Sequence, residues 1–141
     1  MEFQVAYPED LASVGVGNST VNLVFTNSVL HLTYDPRAVV FEMARVLKQG
    51  GNAVFEIALA DSPRDAEVVA EARKIGNSIQ SAPYVEDFKA LLAEAGMSIV
   101  KITDEHEVEA KSGFKRDYEV PVIDGEPGMT YTAMVVTAVK E

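Results

Sequence analysis

Few side chains in this chain could do chemistry, and most of them gather where an apolar run meets a polar one. The segment TNSVLH, residues 26–31, follows the apolar run 21–25 and presents Asn27 and Ser28 as neutral hydrogen-bond donors and acceptors. His31 closes it, as a group able to position a substrate or take a proton, or as a structural histidine among apolar neighbours. There is no cysteine, which excludes disulfides, thiolate metal sites and thiol nucleophiles. Gly15–Val16–Gly17 has the composition of a nucleotide loop and the wrong setting. Such a loop follows a buried strand and opens a helix so that backbone N–H groups face phosphate or cofactor; here a strand pattern comes after the glycines. No metal ligand set and no catalytic residue is assigned.

The elements that must position these residues alternate. Residues 21–25 and 53–59 read as apolar strands. Between them Asp35 is an N-cap, Pro36 suits the first helical turn and Gly50–Gly51 mark the exit. Val39, Val40, Met43, Ala44 and Leu47 recur at helical spacing as one buried stripe, with Arg37, Glu42, Arg45 and Lys48 largely on the other side. Asp61–Ser62–Pro63 starts a charged helix over 64–75, stopped by Gly76–Asn77–Ser78. A further helix carries Phe88, Leu91, Leu92 and Ala95 and stops at Gly96. Strands follow at 97–103 and 130–139, separated by an irregular excursion through 120–122 and a turn at 124–128. Residues 3–7, FQVAY, can form a short strand, and Pro8 to Leu11 a helical start. Strands alternating with helices predict an α/β fold, a mainly parallel sheet with helices on both faces and an antiparallel pair at one edge.

The chain of 141 residues, 48% hydrophobic, fits a single domain spanning 1–141, without repeats, low-complexity tracts or linkers. A net charge of −10 argues against nucleic acid and anionic membrane as partners. The one basic cluster, Lys111, Lys115 and Arg116, is interrupted by Asp117 and Glu119 and reads as a solvated loop. No apolar run is long enough for a membrane span and no leader pattern opens the chain, so a soluble, cytoplasmic protein is expected.

The stretch VNLVFTNSVLHLTYDPRAVVFEMARVLKQGGNAVFEIAL, residues 21–59, resembles the later half of a class I S-adenosylmethionine-dependent methyltransferase. The resemblance implies a truncated Rossmann-like sheet holding the later five of the family's seven strands. It places Tyr7 and Pro8 (in FQVAYPEDL) at the adenine end of the cofactor, with tyrosine where the family has an aspartate. Asn27 and Ser28 would line the methionine end, and His31 and Ser78 the substrate pocket. Within the family the chain is similar to the arsenite methyltransferase-like and ubiquinone–menaquinone methyltransferase-like branch. TNSVLHL and GNSIQSAPYVEDF parallel the places where the arsenic branch carries arsenic-binding cysteines, here Ser28 and Ser78, which are therefore expected to lie near one another. A hydroxyl is a hard ligand, poorly matched to soft arsenic(III).

The family's glycine-rich cofactor loop and ribose-binding acid have no counterpart in the sequence. Two functions are consistent with this. One is the carboxyl-terminal part of a methyltransferase, inactive alone, whose partner is a missing amino-terminal half. The other is a non-enzymatic methyltransferase-like interaction module. In the family order 3-2-1-4-5-7-6, absence of strands 1 and 2 bares an edge of the 21–25 strand. Residues 3–7 are expected to move in beside it, giving the order 3-4-5-7-6, or else a second copy pairs there.

Overall fold

A computed structural model describes residues 1–110 and 121–141. The element order is β1 (Val21–Asn27), α1 (Pro36–Val46), β2 (Leu47–Ala60), α2 (Ala66–Ile75), α3 (Val85–Glu94), β3 (Met97–Val108) and β4 (Tyr131–Lys140), with single 3-10 turns at Ala12–Val14 and Leu30–Leu32. The expected segment 111–119, with its mixed charges, lies outside the described residues, as does Val120 of the excursion.

Each helix starts on a side chain that satisfies its free N–H groups or on a favourable dipole. Asp35 accepts from Ala38 N at 3.1 Å, with Pro36 in the first turn. Asp65, rather than Asp61 or Ser62, caps α2 by accepting from Glu67 N and Val68 N. Glu86 and Asp87 occupy the positive end of α3.

α1 ends at Val46, four positions before the glycine read as its stop, because Leu47 already has strand dihedrals. Gly50, at φ +79°, lies instead within a register irregularity of the β1–β2 pair, between Val21↔Leu47 and Leu23↔Asn52. A Cβ on Gly51 would stand 2.8 Å from Lys48 O and 3.1 Å from Asn22 O, so the chain can fold back only over a glycine there.

The sheet has four strands in the order β1-β2-β4-β3, with β1 parallel to β2 and the other pairs antiparallel. This is the expected terminal antiparallel arrangement, 4-5-7-6 in family terms. The five-strand order is not formed. Residues 3–7 are in no strand, and Phe3, Val5 and Tyr7 are 85%, 99% and 80% exposed. Alternating apolar residues favour a strand only where a ladder partner exists. Residues 9–20 are tied to α1 instead: Glu9 accepts from Asp35 N, Glu42 from Leu11 N, and Arg45 donates to Val16 O and Asn18. Those tethers hold the segment away from the free edge of β1. Glu42 and Arg45, expected on the side of α1 away from its buried stripe, are what anchor it.

The buried core lies between the sheet and α1 with α3. Val40, Met43 and Ala44 meet Ala53, Phe55, Ile57 and Leu59 of β2 and Met134, Val136 and Ala138 of β4. Phe55 and Phe88 pack edge to face, centroids 5.3 Å apart. Removal of either ring would cost about 3–5 kcal/mol. On the opposite face Leu23 and Phe25 of β1 are 59% exposed each.

Candidate functional site

The parallel pair β1–β2 directs its carboxyl ends at the loop 28–35, where open α/β sheets bind ligands. Asn27 is the last residue of β1, paired with Glu56, and is exposed. Ser28 follows at φ +56°, a left-handed conformation uncommon outside glycine. Its N–H donates to Glu56 O at 2.8 Å and its Oγ to Asn27 Oδ1 at 3.1 Å. An uncommon backbone conformation such as that of Ser28, at a strand end with exposed polar side chains, recurs at binding sites.

His31 takes a different course. It is 5% exposed, and Nε2 lies 3.1 Å from Ala58 O. A carbonyl only accepts, so Nε2 carries the proton and Nδ1 keeps its lone pair. Burial, aided by the charges of Arg73 and Arg64 and opposed by the Ala58 contact, lowers its pKa from 6.5 to about 3. At neutral pH it is an uncharged imidazole that fastens the loop to β2 and attracts protons weakly. Arg73 of α2 donates from Nε to His31 O at 3.0 Å, which brings the last turns of α2 to the same loop. Ser78 follows α2 in a half-buried turn that Asn77 caps by accepting from Ile79 N and Gln80 N.

Tyr7 and Pro8 are both exposed. The contact between Glu9 and Asp35 N places their neighbour at the amino end of α1, which is the carboxyl end of the sheet. Tyr7, Pro8, Asn27, Ser28 and His31 thus border the same end of β1. Gly15 and Gly17 contribute no cradle: Gly15 ends the turn Ala12–Val14, and no helix opens after it before β1.

A buried polar network went unread in the sequence. Arg64 donates from Nε to Glu126 at 2.8 Å, from Nη2 to Gln80 O at 2.8 Å and from Nη1 to Ala82 O, and lies over the Tyr131 ring. Glu126 also accepts from Asp65 N at 2.7 Å. Gln80 exchanges hydrogen bonds with the backbone of Ile123, and Asn77 donates to Pro121 O. These contacts fix the segment beyond Val120 against the start of α2 and the turn before α3. The only signal in the sequence was that Asn77, Gln80 and Ser81 lie together between two helices. Arg64, expected as the first residue of a charged helix, lies before α2 begins at Ala66. Among the described residues no helix is long and apolar enough to cross a membrane.

Comparison with known proteins agrees with this architecture. Residues 2–55 match the family described as "Methyltransferase domain". The chain is 27% identical over 108 residues to an arsenite methyltransferase of Aquipseudomonas alcaligenes, covering 77% of this chain and 31% of that protein. It is 28% identical over 98 residues to an arsenite methyltransferase of Halobacterium salinarum, covering 70% of this chain and 25% of that one. It therefore spans about a third or less of the curated relatives' length. Among solved structures, an arsenic(III) S-adenosylmethionine methyltransferase from Chlamydomonas reinhardtii superposes with TM-score 0.72 at 21% identity, covering 96% of this chain and 42% of that one. A geranyl diphosphate C-methyltransferase from Streptomyces coelicolor gives TM-score 0.61 at 11% identity, covering 98% and 52%. At such identities the structures speak for the fold.

Proposed function

We propose that this chain, a relative of the class I S-adenosylmethionine-dependent methyltransferases on their arsenite methyltransferase-like side, forms the later, substrate-side part of such a domain and does not methylate by itself. The observation that carries the reading is the sheet. Among the described residues it contains the 4-5-7-6 end of the family order, with β1 as its edge strand. Methyl transfer depends on in-line placement of the sulfonium against the acceptor more than on acid–base groups. A wall without its opposite wall gives no such placement. Asn27 and Ser28 would line the methionine end of the cofactor, and Ser78 with His31 the acceptor side. With Ser28 and Ser78 in place of thiols, arsenic(III) is a poor acceptor candidate.

The alternative, a methyltransferase-like interaction module without cofactor, draws on Tyr7 standing where the family has an aspartate. A phenol does not replace a carboxylate as acceptor for an adenine amino group. The two readings separate in a radiolabelled methyl-transfer assay of the 141-residue chain, alone and mixed with a separately expressed amino-terminal half of the Aquipseudomonas enzyme. The methyltransferase-part reading expects no transfer alone and transfer in the mixture. Turnover by the chain alone would refute its inactivity, and silence in both arms favours the module.

A further inference from the structure

A cavity of about 250 Å³, bordered by Leu30 and His31 of the loop after β1, lies between the amino end of α1, α2 and α3. Leu30, Pro36, Val69, Pro83, Phe88 and Leu91 give it apolar walls. It is smaller than common cofactor pockets and larger than the roughly 150 Å³ cavity known to admit benzene. Three polar groups on its lining have unspent capacity.

Ser81 is 1% exposed, and its Oγ is buried without a hydrogen-bond partner among the described residues. Its N–H is satisfied by Asn77 O at 3.0 Å, so the hydroxyl alone is orphaned. Buried hydroxyls are rarely left this way. His31 gives its Nε2 to Ala58 O and keeps the Nδ1 lone pair.

Arg73 is half-buried, with Nε on His31 O. Arg37, Arg45 and Arg64 each pair with a glutamate: Glu94, Glu42 and Glu126. Arg73 has no carboxylate among the described residues. Its two terminal nitrogens form a fork shaped for one.

We propose that this cavity binds a small monocarboxylic acid with a compact apolar body, its carboxylate on Arg73 and Ser81 and its body against Val69, Phe88 and Leu91. The other charges on the lining set the valence. Arg37 is committed to Glu94, and Asp87 stands exposed on the first turn of α3. One free cation facing one acid tolerates a monoanion and disfavours a dicarboxylate. The cavity shares His31 with the acceptor side proposed above, but the carboxylate contacts proposed here, Arg73 and Ser81, need neither the Asn27–Ser28 edge nor a cofactor, so their failure would leave the methyltransferase reading standing.

The probe is benzoate, with benzyl alcohol as its uncharged counterpart, titrated into the folded 141-residue chain and followed by amide and methyl NMR. Benzoate is expected to bind saturably, with ring-proton NOEs to the Val69 and Leu91 methyls, at least about tenfold more tightly than the alcohol. R73Q is expected to bring benzoate down to the alcohol's level, D87N to tighten it several-fold and S81A to weaken it about threefold. V69F, which fills the cavity without touching a polar group, is expected to abolish binding in a protein whose amide spectrum stays dispersed. No saturation by roughly 10 mM benzoate, equal binding of the alcohol, or benzoate binding unmoved by both R73Q and V69F would each overturn the assignment.

Discussion

Ser28 holds φ +56° at the end of β1 with its side chain exposed, a conformation that costs a non-glycine residue roughly 1 kcal/mol. S28G is accordingly expected to raise stability by about 1 kcal/mol in urea denaturation, a gain that implies the serine is kept for something other than folding. His31 makes the second prediction at this scale. Its folded pKa of about 3 lies below its unfolded value of 6.5, because burial disfavours the charged ring. The unfolded chain therefore binds the extra proton between those values. The stabilisation is fully present above pH 6.5 and drains away as pH falls. Between pH 8 and pH 5, above the carboxylate range, His31 should remove about 2 kcal/mol, and H31Q should flatten that slope in pH-dependent denaturation curves. Ser28 and Ser78 supply a third test. With both replaced by cysteine, a short bismaleimide, which adds one thiol to each of its two alkenes, should bridge them if they face one pocket; failure to crosslink in the folded protein would dismiss the parallel with the arsenic branch. Of these residues, Ser28 and His31 were visible as chemistry in the sequence, because polar groups break an apolar run there. Ser81 and Arg73 were not, since what distinguishes them is the partner each lacks, and that is known only once the chain is folded.

At the scale of elements, α1 was the most readable, and for a local reason. Asp35, Pro36 and an apolar stripe sit within one helix length, and the cap and the stripe from Val39 to Ala44 formed, while Leu47, read as its last member, is buried as the first residue of β2. Its end was misread because Gly50–Gly51 serve a fold-back inside β2, a requirement set by strand pairing with β1. Residues 3–7 failed differently: their alternation is strand-like, but Glu9, Glu42 and Arg45 tether the following segment to α1. The Arg64–Glu126 pair joins positions 62 apart and no local pattern could announce it. It is also where the element-scale prediction belongs. With side chains 5% and 9% exposed, the two charges depend on each other. E126A strands a buried guanidinium and should cost about 3–5 kcal/mol, whereas E126Q, which keeps an acceptor, should cost less. Chemical denaturation of both variants checks the order; equal losses would mean that the charge, and not the retained hydrogen-bond acceptor, is what matters.

For the whole molecule, the free edge of β1 and the exposed Leu23 and Phe25 beside it form an apolar, unpaired sheet margin. Such margins template association. The chain alone is expected to show concentration-dependent dimerisation in sedimentation velocity, and L23K with F25K to shift it to monomer; a wild-type chain that stays monomeric at high concentration would show the margin to be protected. The same margin is where a methyltransferase domain continues its sheet, and the proposed function stands or falls on what the strand end beside it can hold. The most direct measurement is calorimetric titration of the 141-residue chain with S-adenosylhomocysteine. The proposed site, with Tyr7 where the family has an aspartate and with Asn27 and Ser28 at the strand end, predicts a flat trace at ordinary protein concentrations. A saturable isotherm in the micromolar range would contradict the account, because it would mean that these residues alone enclose the cofactor.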